Sequence, residues 1–176
     1  AALQVEEERY GDAILTCYPE KLVKSGPLPG HPRMAALEPR GALWVEMDIE
    51  GRPLQVINTH LGLVPREQQI QAAHLAGPAW LDNDKCRWPA ILLGDFNATA
   101  SSVVYRTLTQ RLHPARRLAR RKQPSSTFPS PLPVLRIDHH FVSPGIEVQD
   151  VFAPFDPLSR VASDHLPLVM DFDFAS

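Results

Sequence analysis

The sequence predicts a mixed α/β fold in which helices cover a sheet, and three stretches carry that expectation. Gly41 to Ile49 alternates Leu43, Val45, Met47 and Ile49 with Trp44, Glu46 and Asp48, as a half-buried strand does. Arg66 to Leu81 sets Ile70, Ala73, Ala76 and Trp80 at helical spacing, so one face of a helix is expected to rest on the sheet. Ala90 to Leu93 is an unbroken apolar run short enough for a buried strand.

The 176 residues are 44% hydrophobic and 22% charged, a globular balance that suits one domain. A net charge of −2 gives no overall attraction for nucleic acid, so polyanion binding would need a local patch. Cys17 and Cys86 show neither metal nor redox spacing, and a reducing, cytoplasmic compartment is the expectation. No apolar run approaches the roughly 18 residues that cross a bilayer, and the opening lacks a secretory pattern. The chain begins at Ala1, enters Leu3 abruptly and runs into Glu6-Glu7-Glu8, so a fragment, processed product or trimmed chain is expected.

Taken in order, Ala13 to Tyr18 is expected as a short buried strand closed by Pro19. Residues 20 to 33, rich in proline and glycine, read as an irregular connection, edged by a short strand at Met34 to Glu38. Gly41 to Ile49 turns through Glu50-Gly51-Arg52-Pro53 into a partner strand, Leu54 to Thr59, which delivers His60 at its end. Pro65 opens the helix that follows, and Gly77-Pro78 ends or kinks it. After Ala90 to Leu93, Gly94 turns the backbone, and Asp95 and Asn97 project together. Ser101 or Ser102 caps a second helix through about Leu112, with Val104, Leu108 and Leu112 on one face.

Arg111 to Lys122 holds six Arg or Lys residues with His113, read as a solvated surface that could also meet nucleic acid. Gln123 to Pro133 reads as a loop too irregular for the core. Arg136 to Ser143 is expected as a strand with Asp138 and His140 on one face and Ile137, His139 and Phe141 on the other. Asp138 costs stability there unless it is paired. Ile146 to Phe152 follows as a strand, and Ser163-Asp164-His165 stands at the start of a last one through Phe174.

Polar residues stranded at the ends of apolar strands are His60, Asp95, Asn97, Asp138, Asp164 and His165. They suit attack of water on a phosphate ester, which needs charge neutralisation at the phosphoryl oxygens, a base for water and donors for the transition state. In sequence order, Asn58-Thr59-His60, Gly94-Asp95-Phe96-Asn97, Arg136-Ile137-Asp138 and Ser163-Asp164-His165-Leu166-Pro167 resemble the endonuclease/exonuclease/phosphatase superfamily. Tyr10-Gly11-Asp12-Ala13-Ile14-Leu15 resembles its early strand motif, so the likeness covers essentially the whole chain.

That resemblance implies a deoxyribonuclease-I-like α/β fold, a two-layer β-sandwich flanked by helices, with the site at one end of the strands. It implies that Asp95 orients and deprotonates water, Asn97 holds water or phosphate, His60 and His165 donate to phosphoryl oxygens, and Asp138 orients His165. Asp164 would lie near the metal, with Asp95 a further ligand, and Mg²⁺ or Mn²⁺ would be the cation. Arg66, Arg116 and Arg117 are the expected cations for binding substrate. The substrate would be a phosphodiester rather than a monoester, nucleic acid among the options.

The family's first strand carries an Asn, and the next segment a metal-binding Glu, both upstream of the Tyr10 motif, which only nine residues precede here. The domain is therefore expected to be N-terminally incomplete, with Glu6, Glu7 and Glu8 read as a solvated loop rather than a substitute. His140 replaces a usual aliphatic residue and is expected to be structural or a neighbour of Asp138. Without the first strand, the C-terminal strand edge is expected to stand open to self-association. A catalytically silent binding domain of the same fold is the competing expectation.

Overall fold

The computed structural model describes residues 2–5, 8–121 and 123–175. A hairpin, β1 (Ala2–Val5) and β2 (Glu8–Gly11), precedes β3 (Glu20–Pro27), β4 (Gly41–Ile49) and β5 (Arg52–His60). Then come α1 (Pro65–Ala76), β6 (Ala90–Asp95), α2 (Val103–Leu108), β7 (His113–Pro114) and α3 (Ala115–Leu118). β8 (Asp138–Val142), β9 (Ile146–Phe152), α4 (Ser159–Ala162) and β10 (Val169–Phe174) complete the order.

Six strands form the main sheet in the order β3-β4-β5-β6-β8-β7, and β9 pairs with β10 separately. β6 lies between β5, which runs parallel to it, and β8, which runs antiparallel. On one face Trp44, Ile57, Leu92 and Phe141 pack with Ala72 and Leu75 of α1 and Val104 and Leu108 of α2. On the other, Val45, Val56, Ile91 and Val142 meet Val148 and Val151 of β9 and Met170 and Phe172 of β10. Alternate side chains of each central strand thus feed two cores, giving an α/β two-layer sandwich flanked by helices.

The β4–β5 connection is a two-residue turn in which Glu50 and Gly51 both take positive φ, 55° and 84°. Its twist matches the paired strands, and the Asp48 carboxylate accepts from the Gly51 N–H at 2.6 Å. In α2, Ser102 is the cap, its hydroxyl accepting from Tyr105 N–H.

Several expectations are corrected. Ala13 to Tyr18 forms no strand, because the outer edge of β4 is taken by β3 and only alternate residues, such as Ile14, turn inward. β3 itself falls within the stretch expected as irregular. Its pairing with β4, interrupted by an irregularity between Leu22 and Lys24, makes it an edge strand that tolerates Pro27 at its end. Residues 34–38 carry turns rather than a strand, and α1, which ends at Ala76 as Gly77-Pro78 leads one to expect, buries Gln68, Gln71, Ala72 and Leu75 rather than the row Ile70, Ala73 and Ala76. α2 ends at Leu108, with turns bringing Leu112 into the same core.

The basic stretch is not wholly solvated: Ala115 and Ala119 bury against the second core while Arg117, Arg120 and Arg121 stay exposed. The proline and serine loop is part of the interior, with Ser125, Thr127 and Ser130 buried. Its backbone is satisfied by bonds from Thr127 N to Leu135 O, Ser130 N to Asp164 O and Leu166 N to Thr127 O. The last strand begins at Val169 rather than Leu166. Among the described residues β10 has β9 as its one strand neighbour, and an open groove of about 1000 Å³ lies between the sheets beside Met47, Leu93, His140 and Phe172. No helix of the described residues is long and apolar enough to cross a membrane.

Candidate active site

Strand register gathers the site. His60 pairs with Asp95 at the ends of β5 and β6, and Asp95 pairs with Asp138 at the start of β8, so three polar residues stand in one row. Gly94 makes this row possible. Its φ of +137° is open to glycine, and a Cβ there would meet the Thr59 carbonyl oxygen at 1.9 Å. Phe96, fully buried, then anchors the turn. Asn97 takes a φ of 48°, a conformation its type tolerates, and its N–H donates to Asp95 Oδ1 at 2.8 Å.

Around Asp95 the imidazoles converge. His60 Nε2 lies 3.3 Å and His165 Nε2 3.8 Å from Asp95 Oδ2. His165 Nδ1 is 2.8 Å from Asp138 Oδ2, which also accepts the Thr127 hydroxyl at 2.5 Å. The Asn97 amide donates to Leu61 O at 3.0 Å and lies 3.2 Å from His60 Nε2. The Phe128 ring packs on His165 with centroids 4.9 Å apart. His60, Asp95, Asn97, Asp138 and His165 are thus brought to one place at the strand ends.

Burial pushes the Asp95 carboxyl up, but the bonds from His60 and the Asn97 N–H, with His165 nearby, outweigh it and hold the group below the ordinary carboxylate value. A carboxylate that stays ionised is available to accept a proton or face a cation. Burial disfavours the charged His165 ring, yet its bond to Asp138 and the charges of Asp138, Asp95 and Asp164 win, so its pKa is raised. His165 is therefore a proton donor held by carboxylates.

Asp95, Asp138 and His165 each offer one ligand atom, and the three lie within 4.8 Å of one another. Asp138 Oδ2 is engaged by His165 and Thr127, leaving Oδ1 and the remaining lone pairs of Asp95 as oxygen donors. Two carboxylates with water and substrate oxygens are a set that Mg²⁺ or Mn²⁺ accepts, so the residues fit such an ion. Asp164 stands outside that trio; its carboxylate is exposed and accepts from the Ser163 hydroxyl at 3.2 Å. Glu6 and Glu7 lie outside the described residues.

The expected substrate cations sit differently. Arg66 is exposed in the first turn of α1. Arg116 is spent on the loop, bonding Ser125 Oγ at 3.0 Å and Gln123 O at 2.8 Å, and Arg117 stacks over Tyr105 at 5.5 Å. His140 shares the Asp138 face of β8 and its buried Nδ1 has no hydrogen-bond partner among the described residues, whereas His139 Nε2 bonds Ala98 O at 2.8 Å.

Sequence reasoning missed the residues that hold these groups. Arg40 Nη1 reaches His60 Nδ1 at 3.2 Å, and Gln68 Nε2 donates to Gly62 O and Asn97 O, both at 2.9 Å. Gln68 lies off the apolar row Ile70, Ala73 and Ala76 that the sequence points inward, and Arg40 and Thr127 carry no local signal.

Known proteins resemble this chain in sequence or in fold. YbhP of Escherichia coli K12, an uncharacterised protein, is 27% identical over 164 residues, 92% of this chain; the chain spans 62% of YbhP's length. A conserved protein of unknown function from Enterococcus faecalis superposes with a TM-score of 0.72 at 24% identity, over 89% of this chain and 68% of that one. A mannosyl-6-phosphatase from Bacteroides thetaiotaomicron gives 0.73 at 22%, over 88% and 67%. The family model for the endonuclease/exonuclease/phosphatase family matches residues 6–165, nearly all of the strands that build the site, and the chain belongs to that family.

Proposed function

We propose that this chain carries the catalytic centre of a divalent-metal-dependent phosphoester hydrolase. The observation that carries the reading is the meeting of Asp95, Asp138 and His165 within 4.8 Å, with His60 and Asn97 beside them. Asp95, held ionised, orients and deprotonates water for in-line attack on phosphorus. His60, His165 and the Asn97 amide present N–H groups to the phosphoryl oxygens, where charge builds in the transition state. Asp138 holds His165 through Nδ1, leaving Nε2 to face substrate. A bound Mg²⁺ or Mn²⁺ would be held by carboxylate oxygens of Asp95 and Asp138 and would neutralise phosphoryl charge.

The chain is read as one such domain, and the Bacteroides mannosyl-6-phosphatase of like fold supports ester hydrolysis as the reaction class. Within it a phosphodiester is the substrate we favour, because Arg116, one of the cations that could meet a monoester's second negative charge, is bound up in the fold. The test is hydrolysis of bis(p-nitrophenyl) phosphate and of p-nitrophenyl phosphate by the intact protein with and without Mg²⁺. Faster turnover of the diester, dependent on Mg²⁺ and lost in Asp95→Ala, is expected. Equal rates for wild type and Asp95→Ala would instead favour a silent binding domain.

A further inference from the structure

We propose that Arg40 is a positioning residue that sets the tautomer of His60. A neutral imidazole has one N–H and one lone pair, and its neighbours decide which nitrogen carries which. Arg40 Nη1 lies 3.2 Å from His60 Nδ1, and a guanidinium nitrogen can only donate. Nδ1 must then be the acceptor. The proton is left on Nε2, which faces Asp95 Oδ2 at 3.3 Å, an oxygen that can only accept when ionised.

The opposite tautomer fails on both sides. It would set Nδ1–H against the Arg40 N–H and a lone pair against the Asp95 carboxylate, gaining only the Asn97 amide at 3.2 Å. The assigned tautomer has one mismatch instead of two. That mismatch sets two donors side by side: His60 Nε2–H, facing Asp95 Oδ2, and the Asn97 amide, which also donates to Leu61 O, lie 3.2 Å apart. An anionic oxygen brought to that point relieves their repulsion, as a phosphoryl oxygen would.

Arg40 is built for the task. Its side chain is 8% exposed, its Nη2 is anchored by Glu38 Oε2 at 3.0 Å, and its carbonyl is held by Leu28 N–H at 2.7 Å. Its charge is permanent, so it offers donors at every working pH. Strand β4 starts at the next residue, Gly41, whose carbonyl accepts the Thr59 hydroxyl at 2.8 Å, so the guanidinium is fixed relative to the strand carrying His60.

The catalytic consequence rests on the proposed hydrolysis, but the tautomer does not. The test is two-bond ¹H–¹⁵N correlation spectroscopy of the intact protein at pH 8.5, where an ordinary imidazole is neutral, with His60 assigned from the spectrum of His60→Gln. Wild type is expected to show a protonated Nε2 and an unprotonated Nδ1. Arg40→Met, similar in length without a donor, is expected to admit the Nδ1–H form, and Arg40→Lys to restore Nε2–H. If hydrolysis is the function, Arg40→Met also lowers kcat about 10- to 100-fold with KM nearly unchanged. An Nδ1–H ring in the wild type, or the same tautomer in Arg40→Met, overturns the proposal whatever the activity. Absence of hydrolysis in the wild type overturns only the functional reading. A poorly folded Arg40→Met is replaced by Arg40→Gln, whose shorter amide cannot reach Nδ1 and which is expected to give the same mixed tautomer.

Discussion

His165 Nδ1 and Asp138 Oδ2 lie 2.8 Å apart, and the Thr127 hydroxyl donates to that same carboxylate oxygen at 2.5 Å. One oxygen thereby ties β8, the buried proline and serine loop and the segment before β10. The loop is held in turn by the bond from Leu166 N to Thr127 O, so the histidine and its carboxylate are fixed from both sides. Removing the acceptor and removing the hydroxyl should have different consequences.

Asp138→Asn keeps the shape but removes the carboxylate that favours the charged His165 ring, and an amide N–H turned to Nδ1 opposes a proton there, so the ring is a weaker donor. We expect kcat to fall about 100-fold or more, in the range that a positioned acid or base supplies. Thr127→Val leaves the carboxylate in place and frees one lone pair, so a loss of about 10-fold is expected. Steady-state kinetics on the diester substrate measures both. Equal losses in the two variants would mean that the hydroxyl, not the carboxylate, governs the ring.

Stability should pass through a maximum in pH, because two sets of histidines pull in opposite directions. Burial pushes His139 down to about 4, against a smaller opposing effect of its bond to Ala98, and burial with the neighbouring His139 does the same to His140. The unfolded chain binds these protons near pH 6.5 and the folded one does not, so stability falls as pH drops from 6.5 towards 4. Each ring accounts for roughly 3 kcal/mol of that loss. His165 acts the other way. Its folded pKa is raised, so its contribution is complete below 6.5 and is lost as pH rises through the folded value. Urea midpoints from pH 4.5 to 9 test this: His140→Leu should flatten the acid side and His165→Gln the alkaline side. An unchanged acid slope in His140→Leu would remove His140 from the account.

Much of this centre is legible in the sequence because strand ends reveal themselves. An apolar run that stops at Gly94-Asp95, or at His60, announces a polar group delivered to a sheet edge, and alternation through Arg136 to Ser143 assigns Asp138 its face. Thr127 and Arg40 announce nothing. Their roles come from contacts across the fold: Thr127 is buried by backbone bonds to Leu135 and Leu166, and Arg40 meets a histidine 20 residues later. β3 was hidden for a related reason. Its exposed residues and Pro27 lack strand periodicity, and its extended form comes from pairing with β4. Ala13 to Tyr18 errs the other way: apolar composition does not make a strand without a paired neighbour, and only alternate residues such as Ile14 turn inward.

Gln68 offers the sharpest test of how the two loops are held together. Its amide donates to Gly62 O, just beyond His60, and to Asn97 O, two residues beyond Asp95, while Gln71 Oε1 accepts from Gly62 N–H at 2.9 Å. Gln68 is 7% exposed, so both carbonyls lose their partners if it is removed. Gln68→Glu places oxygens against two carbonyl oxygens, and its charge is buried without a donor. We expect it to cost about 2–4 kcal/mol of stability, more than Gln68→Ala, which leaves room for water to serve the carbonyls. Because the two loops carry His60 and Asp95, both variants should lower kcat more than they raise KM, with the 3.3 Å His60–Asp95 approach loosened. Urea denaturation alongside diester kinetics separates the effects. A Gln68→Glu protein as stable and as active as wild type would show that α1 only covers the sheet and does not bracket the site.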